Sequence, residues 1–222
     1  MTPSRSGAAR PGKGRRRGRP PAIDRAGIVA AARALGVQNL TMQAVADALG
    51  VSDAALYHHF RNREALIAAL VEETVRDAPF PEDRGQGWRA WMAEFAESLR
   101  DVLADHPGSA GFAATSGPTN PEQIKLVSRA VGVLTRSGFD EREAAMIYSL
   151  VTSFVISSVQ AEERRSQARE AHSDIASRFA EAIAGMREAE VGALRKVAET
   201  WADASGEDRF RYGLNAILRG VG

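Results

Sequence analysis

Apolar residues recur every three or four positions along most of the chain, and no stretch alternates with period two between turn residues. This spacing predicts amphipathic helices and no sheet. Within residues 22–77, four short helical patterns each follow a side chain that can cap a helix N-terminus. The capping residues are Asp24, Thr41, Ser52 and Asn62. We therefore expect one compact four-helix head there.

Pro79 and Pro81 interrupt the pattern, and helical spacing resumes beyond them. The expected helices of this second part, residues 78–222, are Trp88–Leu103, Gln123–Thr135, Glu141–Glu163, Ser173–Met186, Val191–Ala202 and Phe210–Leu218. Residues 105–121 are predicted to be a loop with at most one or two helical turns, and residues 162–173 an exposed connection or a frayed helix end. The predicted fold class is all-α, a head followed by a helical body.

Charge is distributed unevenly along the chain. Residues 1–21 hold seven of the 29 basic residues and no acid, so the remaining 22 basic residues are outnumbered by 28 acidic ones. Such a segment, poor in large apolar side chains, is expected to be a disordered basic arm. It suits a polyanion, either nucleic acid or a membrane surface. The alternative is a solvated tail that only aids solubility.

Several classes of protein are disfavoured by composition. The chain has no cysteine, which excludes disulfides and thiolate metal sites. No apolar run is expected to cross a bilayer and no secretory signal is recognisable, so a cytoplasmic protein is the default. Gly7–Gly14 nearly matches a phosphate-binding loop but lacks the hydroxyl residue after Lys13. We expect no enzyme, no metal and no cofactor.

The most specific pattern is Thr41–Phe60, which has the spacing of a helix-turn-helix. Gly50 supplies the left-handed backbone of the turn, and small Ala46 lets the two helices cross closely. At 100° per residue, Leu56 and Phe60 face inward, while Ala54 and His58 point away from them. Small and polar side chains on an outward face can approach base edges and phosphates.

These residues resemble the tetracycline-repressor (TetR) family of transcriptional regulators. The family pattern is a Thr-capped helix, a Gly-Val-Ser turn, then Leu-Tyr-x-His-Phe, a basic residue and Glu-Ala-Leu, and residues 24–70 contain every element. The resemblance implies a DNA-binding head joined by a fourth helix to an all-α body that binds a ligand and forms a dimer.

The same resemblance implies three groups of DNA contacts. Phosphate contacts are expected at Tyr57, His59 and Arg63, and backbone contacts at the start of the second helix, Thr41 and Met42. The residues expected to face the groove are Gln43, Asp53, Ala54, Ala55 and His58. Asp53 is unusual on a phosphate-facing surface. It either provides a favourable charge in the first helical turn or accepts from a cytosine amino group.

In the body, the resemblance is to the tetracycline-repressor C-terminal subfamily. It rests on Trp88, His106-Pro107, the loop Ala114–Pro118, Ser137-Gly138-Phe139 and the closing Phe210–Leu214. Tetracycline-binding members contact the drug and its magnesium through histidines in the fourth helix and the central loop. Residues 70–80 and 107–121 contain no histidine, so we expect no magnesium-tetracycline site of that type.

Apolar side chains predict two further sites in the body. The candidates for an apolar or aromatic small-molecule effector are Trp88, Trp91, Phe95, Phe112, Thr115, Met146, Leu150 and Phe154, and the alternative for each is plain core. Two long apolar helices suit a symmetric four-helix interface. Its expected residues are Tyr148, Val151, Val155, Val159, Phe210, Leu214, Ile217 and Leu218. The alternative for that set is the core of a monomer.

Within the arm, Arg17-Gly18-Arg19-Pro20 matches the core of an AT-hook-like segment. Arg17 and Arg19 could enter a narrow A·T minor groove, or the arm could make loose phosphate contacts only. The predicted function is a homodimeric, ligand-responsive regulator that binds a palindromic operator in double-stranded DNA. It is most simply a repressor released by its effector. The alternative is an architectural protein that binds DNA or another polyanion without sequence preference.

Overall fold

The computed structural model describes residues 23–170 and 175–221. These residues form helices and no strand, which confirms the all-α fold class. The helices are α1 (Arg25–Leu35), α2 (Met42–Leu49), α3 (Asp53–His59), α4 (Arg63–Asp77), α5 (Trp88–Ala104), α6 (Ser109–Ser116), α7 (Pro121–Arg136), α8 (Glu141–Glu170), α9 (Ile175–Ala184), α10 (Glu188–Asp203) and α11 (Gly206–Gly220).

Helices α1 to α4 pack around one apolar cluster. Asp24 and Asn62 cap α1 and α4 by accepting hydrogen bonds from the backbone N–H groups of Gly27 and Ala65 at 2.8 and 2.9 Å. The cluster is completely removed from solvent at its centre, where Ile28, Leu56 and Leu66 are 0% exposed. Burial of these side chains fixes the positions of α2 and α3 relative to α4.

A second apolar cluster joins α5, α7, α8 and α11. Trp91 and Phe95 stack at its centre with ring centroids 5.5 Å apart. Arg100 links α5 to two other helices, because its guanidinium forms ion pairs with Glu162 of α8 and Glu207 of α11. These contacts bind the two apolar helices predicted from the sequence into the body of a single chain.

Residues 162–170 differ from the expectation of an exposed connection, whereas the 105–121 segment agrees with its prediction. Residues 162–170 continue α8 as regular helix, so an exposed connection does not begin at residue 162. Helix α8 also passes a simple test of length and hydropathy for a membrane span over Glu141–Ala168. The expectation that no segment could do so was therefore too strict, although one side of α8 packs in the core. The 105–121 segment contains α6, whose eight residues amount to about two turns.

Candidate DNA-binding head and effector cavity

The turn between α2 and α3 has the geometry predicted from its sequence. Thr41 caps α2 by accepting a hydrogen bond from Ala44 N at 3.0 Å. Gly50 lies in the left-handed region at φ 65° and ψ 34°, which residues with a Cβ rarely adopt. Val51 N then bonds Ala46 O at 3.0 Å. Ser52 occupies the N-cap position of α3, but its side chain forms no capping hydrogen bond there.

Helix α3 presents one polar side to solvent. Leu56 and Phe60 are buried, whereas Ala54 and His58 are exposed and the Tyr57 side chain is 52% exposed. The remaining groove-facing candidates on α3, Asp53 and Ala55, are half-buried, as is His59. The His58 and His59 rings meet edge to face with centroids 5.5 Å apart. The outward strip is therefore continuous from the N-terminal turn to the C-terminal end of the helix.

The start of α2 contributes less to that surface than the sequence indicated. Thr41 and Gln43 are exposed, and Gln43 Nε2 donates to Asp47 Oδ1 at 2.9 Å. Met42, however, is 8% exposed and belongs to the apolar cluster of the head. The Met42 side chain therefore fills space between the helices of the head and does not add to the exposed surface.

Arg63, predicted to contact a phosphate, donates hydrogen bonds to two backbone carbonyls of the head. Its Nε donates to Leu40 O at 2.6 Å and its Nη2 to Val37 O at 3.0 Å. The side chain is half-buried and ties the start of α4 to the segment between α1 and α2. The sequence could not show this, because both acceptors are backbone carbonyls distant along the chain.

The N-terminus of α1 lies beside the C-terminal end of α3. Arg25 Nη1 donates to His59 O at 3.3 Å, and the Arg25 guanidinium carbon lies 4.2 Å from the centre of the Phe60 ring. The chain therefore enters the head next to the predicted DNA surface. Arg17 and Arg19, the candidate minor-groove residues, lie outside the described residues.

A cavity of about 410 Å³ opens inside the body between α4, α5, α6, α7 and α8. We call it the effector cavity. Its walls combine aromatic, aliphatic, hydroxyl and amide groups: Val75, Phe80, Phe95, Leu99, Ala113, Ala114, Gly117, Pro118, Gln123, Leu126, Tyr148, Ser149, Thr152, Ser153, Ile156, Ser157 and Gln160. Burial raises the pKa of Tyr148 to about 12, so its phenol is neutral at physiological pH.

Of the residues predicted to bind the effector, Phe95 lines this cavity and the others lie elsewhere. Trp88 and Trp91 are buried in the core, and Phe154 stacks on Phe210. Thr115 is exposed and donates its hydroxyl to carbonyls of its own helix. Phe112 packs against the apolar cluster of the head.

Met146 and Leu150 complete that set, and they are 60% and 48% exposed on the outer side of α8. Sequence spacing could not separate these positions from core, because α8 is apolar on nearly every side.

The residues predicted to form a dimer interface are for the most part core residues of the single chain. Val151, Val155, Val159, Phe210, Leu214 and Leu218 are at most 5% exposed, Ile217 is half-buried, and Tyr148 lines the effector cavity. The outward sides of the same two helices carry other apolar side chains. Besides Met146 and Leu150, Tyr212 of α11 is 81% exposed.

Two family models match the chain. Residues 28–70 match the description "Bacterial regulatory proteins, tetR family", and residues 80–222 match "Tetracyclin repressor-like, C-terminal domain". The second match alone covers more than half of the chain. The first match ends within α4, and the second begins in the connection between α4 and α5.

Individual relatives agree with these models. The chain is 30% identical over 127 residues to an HTH-type transcriptional regulator of Saccharopolyspora erythraea, covering 57% of this chain and 54% of that protein. It is 26% identical over 190 residues to the tetracycline repressor protein class E of Escherichia coli, covering 83% and 82%.

A solved structure shows the same fold over nearly the whole chain. The TetR family protein ActR of Streptomyces coelicolor, in complex with actinorhodin, superposes with a TM-score of 0.79 at 24% identity, covering 90% of this chain and 95% of that one. With the exposed strip on α3 and the cavity behind α4, these matches agree on one assignment: the chain belongs to the TetR family of ligand-responsive, DNA-binding transcriptional regulators.

Proposed function

We propose that this protein is a repressor that binds a palindromic operator as a symmetric dimer and releases it when a small molecule fills the effector cavity. The observation that carries this proposal is the outward strip of α3, where Ala54, Tyr57 and His58 stay accessible while Leu56 and Phe60 hold the helix in the head. In this proposal, residues 22–77 form the DNA-binding domain and residues 78–222 form the ligand-binding and dimerisation domain. The protein acts in the cytoplasm.

The dimer interface is assigned to the outward sides of α8 and α11. Large apolar side chains left in water are costly, and Met146, Leu150 and Tyr212 are all exposed in the single chain. At Gly213 an added Cβ would lie 2.5 Å from the Phe154 ring, so α8 and α11 are already closely packed. The two helices therefore present one combined face, which a second copy buries by two-fold symmetry. To read two half-sites one helical turn of DNA apart, the two copies of α3 in this dimer need to be spaced about 34–36 Å apart.

The effector is an aromatic or largely apolar molecule. Phe80, Phe95 and Leu99 offer an apolar wall, whereas the hydroxyls of Ser149, Ser153 and Ser157 follow one side of α8. A ligand with an aromatic body and a few polar substituents satisfies both walls. The similar structure of ActR was solved with actinorhodin bound, which supports a sizeable organic ligand in this type of body.

The basic arm of residues 1–21 extends the DNA contact beyond the major groove. Arg25 lies against His59 and Phe60 at the end of α3, so the arm begins beside the duplex. We assign Arg17 and Arg19 to the minor groove flanking each half-site, where a narrow A·T tract has the most negative potential.

The decisive experiment is operator discovery followed by competition. Purified protein is footprinted on genomic fragments, and its affinity for the best site and for a scrambled duplex is measured across a salt series. A regulator keeps its preference for the operator at salt concentrations where binding to the scrambled duplex has vanished. Equal affinity for both duplexes at every salt concentration would contradict the proposal and favour a polyanion-binding protein without sequence preference.

A further inference from the structure

A second, smaller space lies where the head meets the body, and we call it the side chamber. Its volume is about 80 Å³. Its walls come from the α1–α2 connection, α4, the end of α5, α6 and the start of α7. The lining residues are Val37, Leu70, Val71, Thr74, Val75, Leu99, Val102, Leu103, His106, Ser109, Phe112, Ala113, Gly117 and Gln123.

The polar side chains of the side chamber are already engaged in local hydrogen bonds. Thr74 donates to Leu70 O at 2.9 Å, Ser109 donates to Leu103 O at 3.3 Å, and His106 Nδ1 lies 2.8 Å from Val102 O. Gln123 Oε1 accepts from Thr119 N and Asn120 Nδ2. A water molecule needs two to four polar partners to stay in a cavity. The chamber therefore favours an apolar occupant.

The side chamber is adjacent to the effector cavity. Five residues line both spaces: Val75, Leu99, Ala113, Gly117 and Gln123. These residues form the wall that the two spaces share, so a substituent of a molecule in the larger cavity would reach the chamber past Ala113 and Leu99. The volume of the chamber corresponds to only a few heavy atoms, so this substituent is a short alkyl group or the edge of a ring.

The opposite wall of the side chamber belongs to the head. Val37 and Leu70 are 4% and 2% exposed and are members of the head's apolar cluster. Phe112 reaches from α6 to the same cluster. At Gly108, just before α6, an added Cβ would lie 3.0 Å from the backbone nitrogen of Gln38. The contact between head and body is thus closely packed near the start of α6 and leaves an unfilled space at the chamber.

We propose that the side chamber is the triggering subsite of the effector site: an uncharged apolar substituent of the effector enters it and displaces the head from the position that fits the operator. This inference rests on the proposed function, because it names the part of the ligand that acts on the head. Ligand atoms placed between the body and the head residues Val37 and Leu70 push the head away from the body. The side chains around the chamber are close-packed and therefore transmit the displacement. The bulk of the effector in the larger cavity supplies affinity.

A pair of matched variants tests the proposal without knowledge of the effector. Val71→Phe adds an aromatic ring at a residue that lines only the side chamber, and Ile156→Phe adds one at a residue that lines only the effector cavity. Operator affinity is measured without any ligand. Val71→Phe should weaken operator binding about tenfold, within the range of allosteric couplings, while Ile156→Phe should stay within about twofold of the unsubstituted protein.

Two controls keep the outcome interpretable. Thermal unfolding and sedimentation must show that each variant is folded and dimeric. If Val71→Phe is not, Val102→Leu, a smaller addition to the same chamber, takes its place. Xenon, which occupies dry apolar cavities, should bind the unsubstituted protein and Ile156→Phe at the chamber, as seen by xenon-129 NMR, but not Val71→Phe.

A folded chamber-filling variant that binds the operator as tightly as the unsubstituted protein would overturn the inference. Equal weakening by both variants would overturn it as well, since the two spaces would then be equivalent. Neither result would affect the proposed function, which fails only if the unsubstituted protein shows no preference for any operator.

Discussion

Replacement of Arg63 by alanine should destabilise the head before it affects any particular DNA contact. The guanidinium donates to Leu40 O at 2.6 Å and to Val37 O at 3.0 Å. The residues that carry these carbonyls are 1% and 4% exposed, so neither acceptor gains full hydration when the arginine is removed. The substitution removes both arginine bonds: Leu40 O loses its Arg63 donor, whereas Val37 O keeps a longer bond from Leu40 N at 3.4 Å.

The expected loss follows from those two bonds. A hydrogen bond to a charged group contributes about 1.5–3 kcal/mol to the free energy of unfolding. Because Arg63 is only half-buried, we use the lower value for each bond. We therefore expect Arg63→Ala to lower the free energy of unfolding by about 3 kcal/mol. For a chain of this size, that corresponds to a fall in melting temperature of roughly 6–12 °C.

The assay is urea unfolding followed by helical circular dichroism, together with operator binding at a temperature where every variant is folded. Arg61→Ala is the matched control, because Arg61 is exposed two residues away. It should change stability by less than about 0.5 kcal/mol. If Arg63→Ala unfolds at the original urea concentration but binds all duplexes more weakly, Arg63 is a phosphate contact and the structural role argued here is refuted.

Three further results are expected. His58→Ala should alter base preference in selection from a random duplex library, because His58 lies on the exposed side of α3; an unchanged consensus would contradict this. Deletion of residues 1–21 removes seven basic residues and should reduce the salt slope by at most about 6 per subunit, at about 0.9 for each phosphate; an unchanged slope would show that the arm does not touch DNA. Tyr212→Asp should produce monomers in sedimentation while Tyr212→Phe stays dimeric, and a dimeric Tyr212→Asp would exclude this face.

The head is the part of the molecule that local sequence rules specify most completely. Asp24, Thr41 and Asn62 cap the helices that their positions predicted, and Gly50 adopts the left-handed turn. Each of these features depends on residues within four positions of one another along the chain. Helical periodicity then suffices to orient α3, because Leu56 and the C-cap residue Phe60 both face the apolar cluster of the head.

The body shows where that reasoning fails. Helix α8 carries apolar side chains on nearly every side, so its periodicity cannot define its rotation. The structure divides the helix into a core side with Val151 and Val155, a cavity side with Tyr148 and Thr152, and an outward side with Leu150. Which side meets which neighbour depends on α5, α6, α7 and α11, and these contacts join residues far apart in the sequence. Tyr148, expected at the interface, therefore lines the cavity, and Met146 and Leu150, expected at the ligand, lie on the outward side.

The division of α8 has a mechanical consequence. Ser153 and Ser157 lie between the cavity side and the outward side, so one helix separates the effector from the surface assigned to the partner subunit. The outward side of α8 can therefore stay packed against the partner subunit while its cavity side binds the effector. The side chamber acts on the head of the same subunit through Val37 and Leu70. Effector binding thus reaches the operator through the position of the head, and the larger cavity supplies the affinity that holds the substituent in the side chamber.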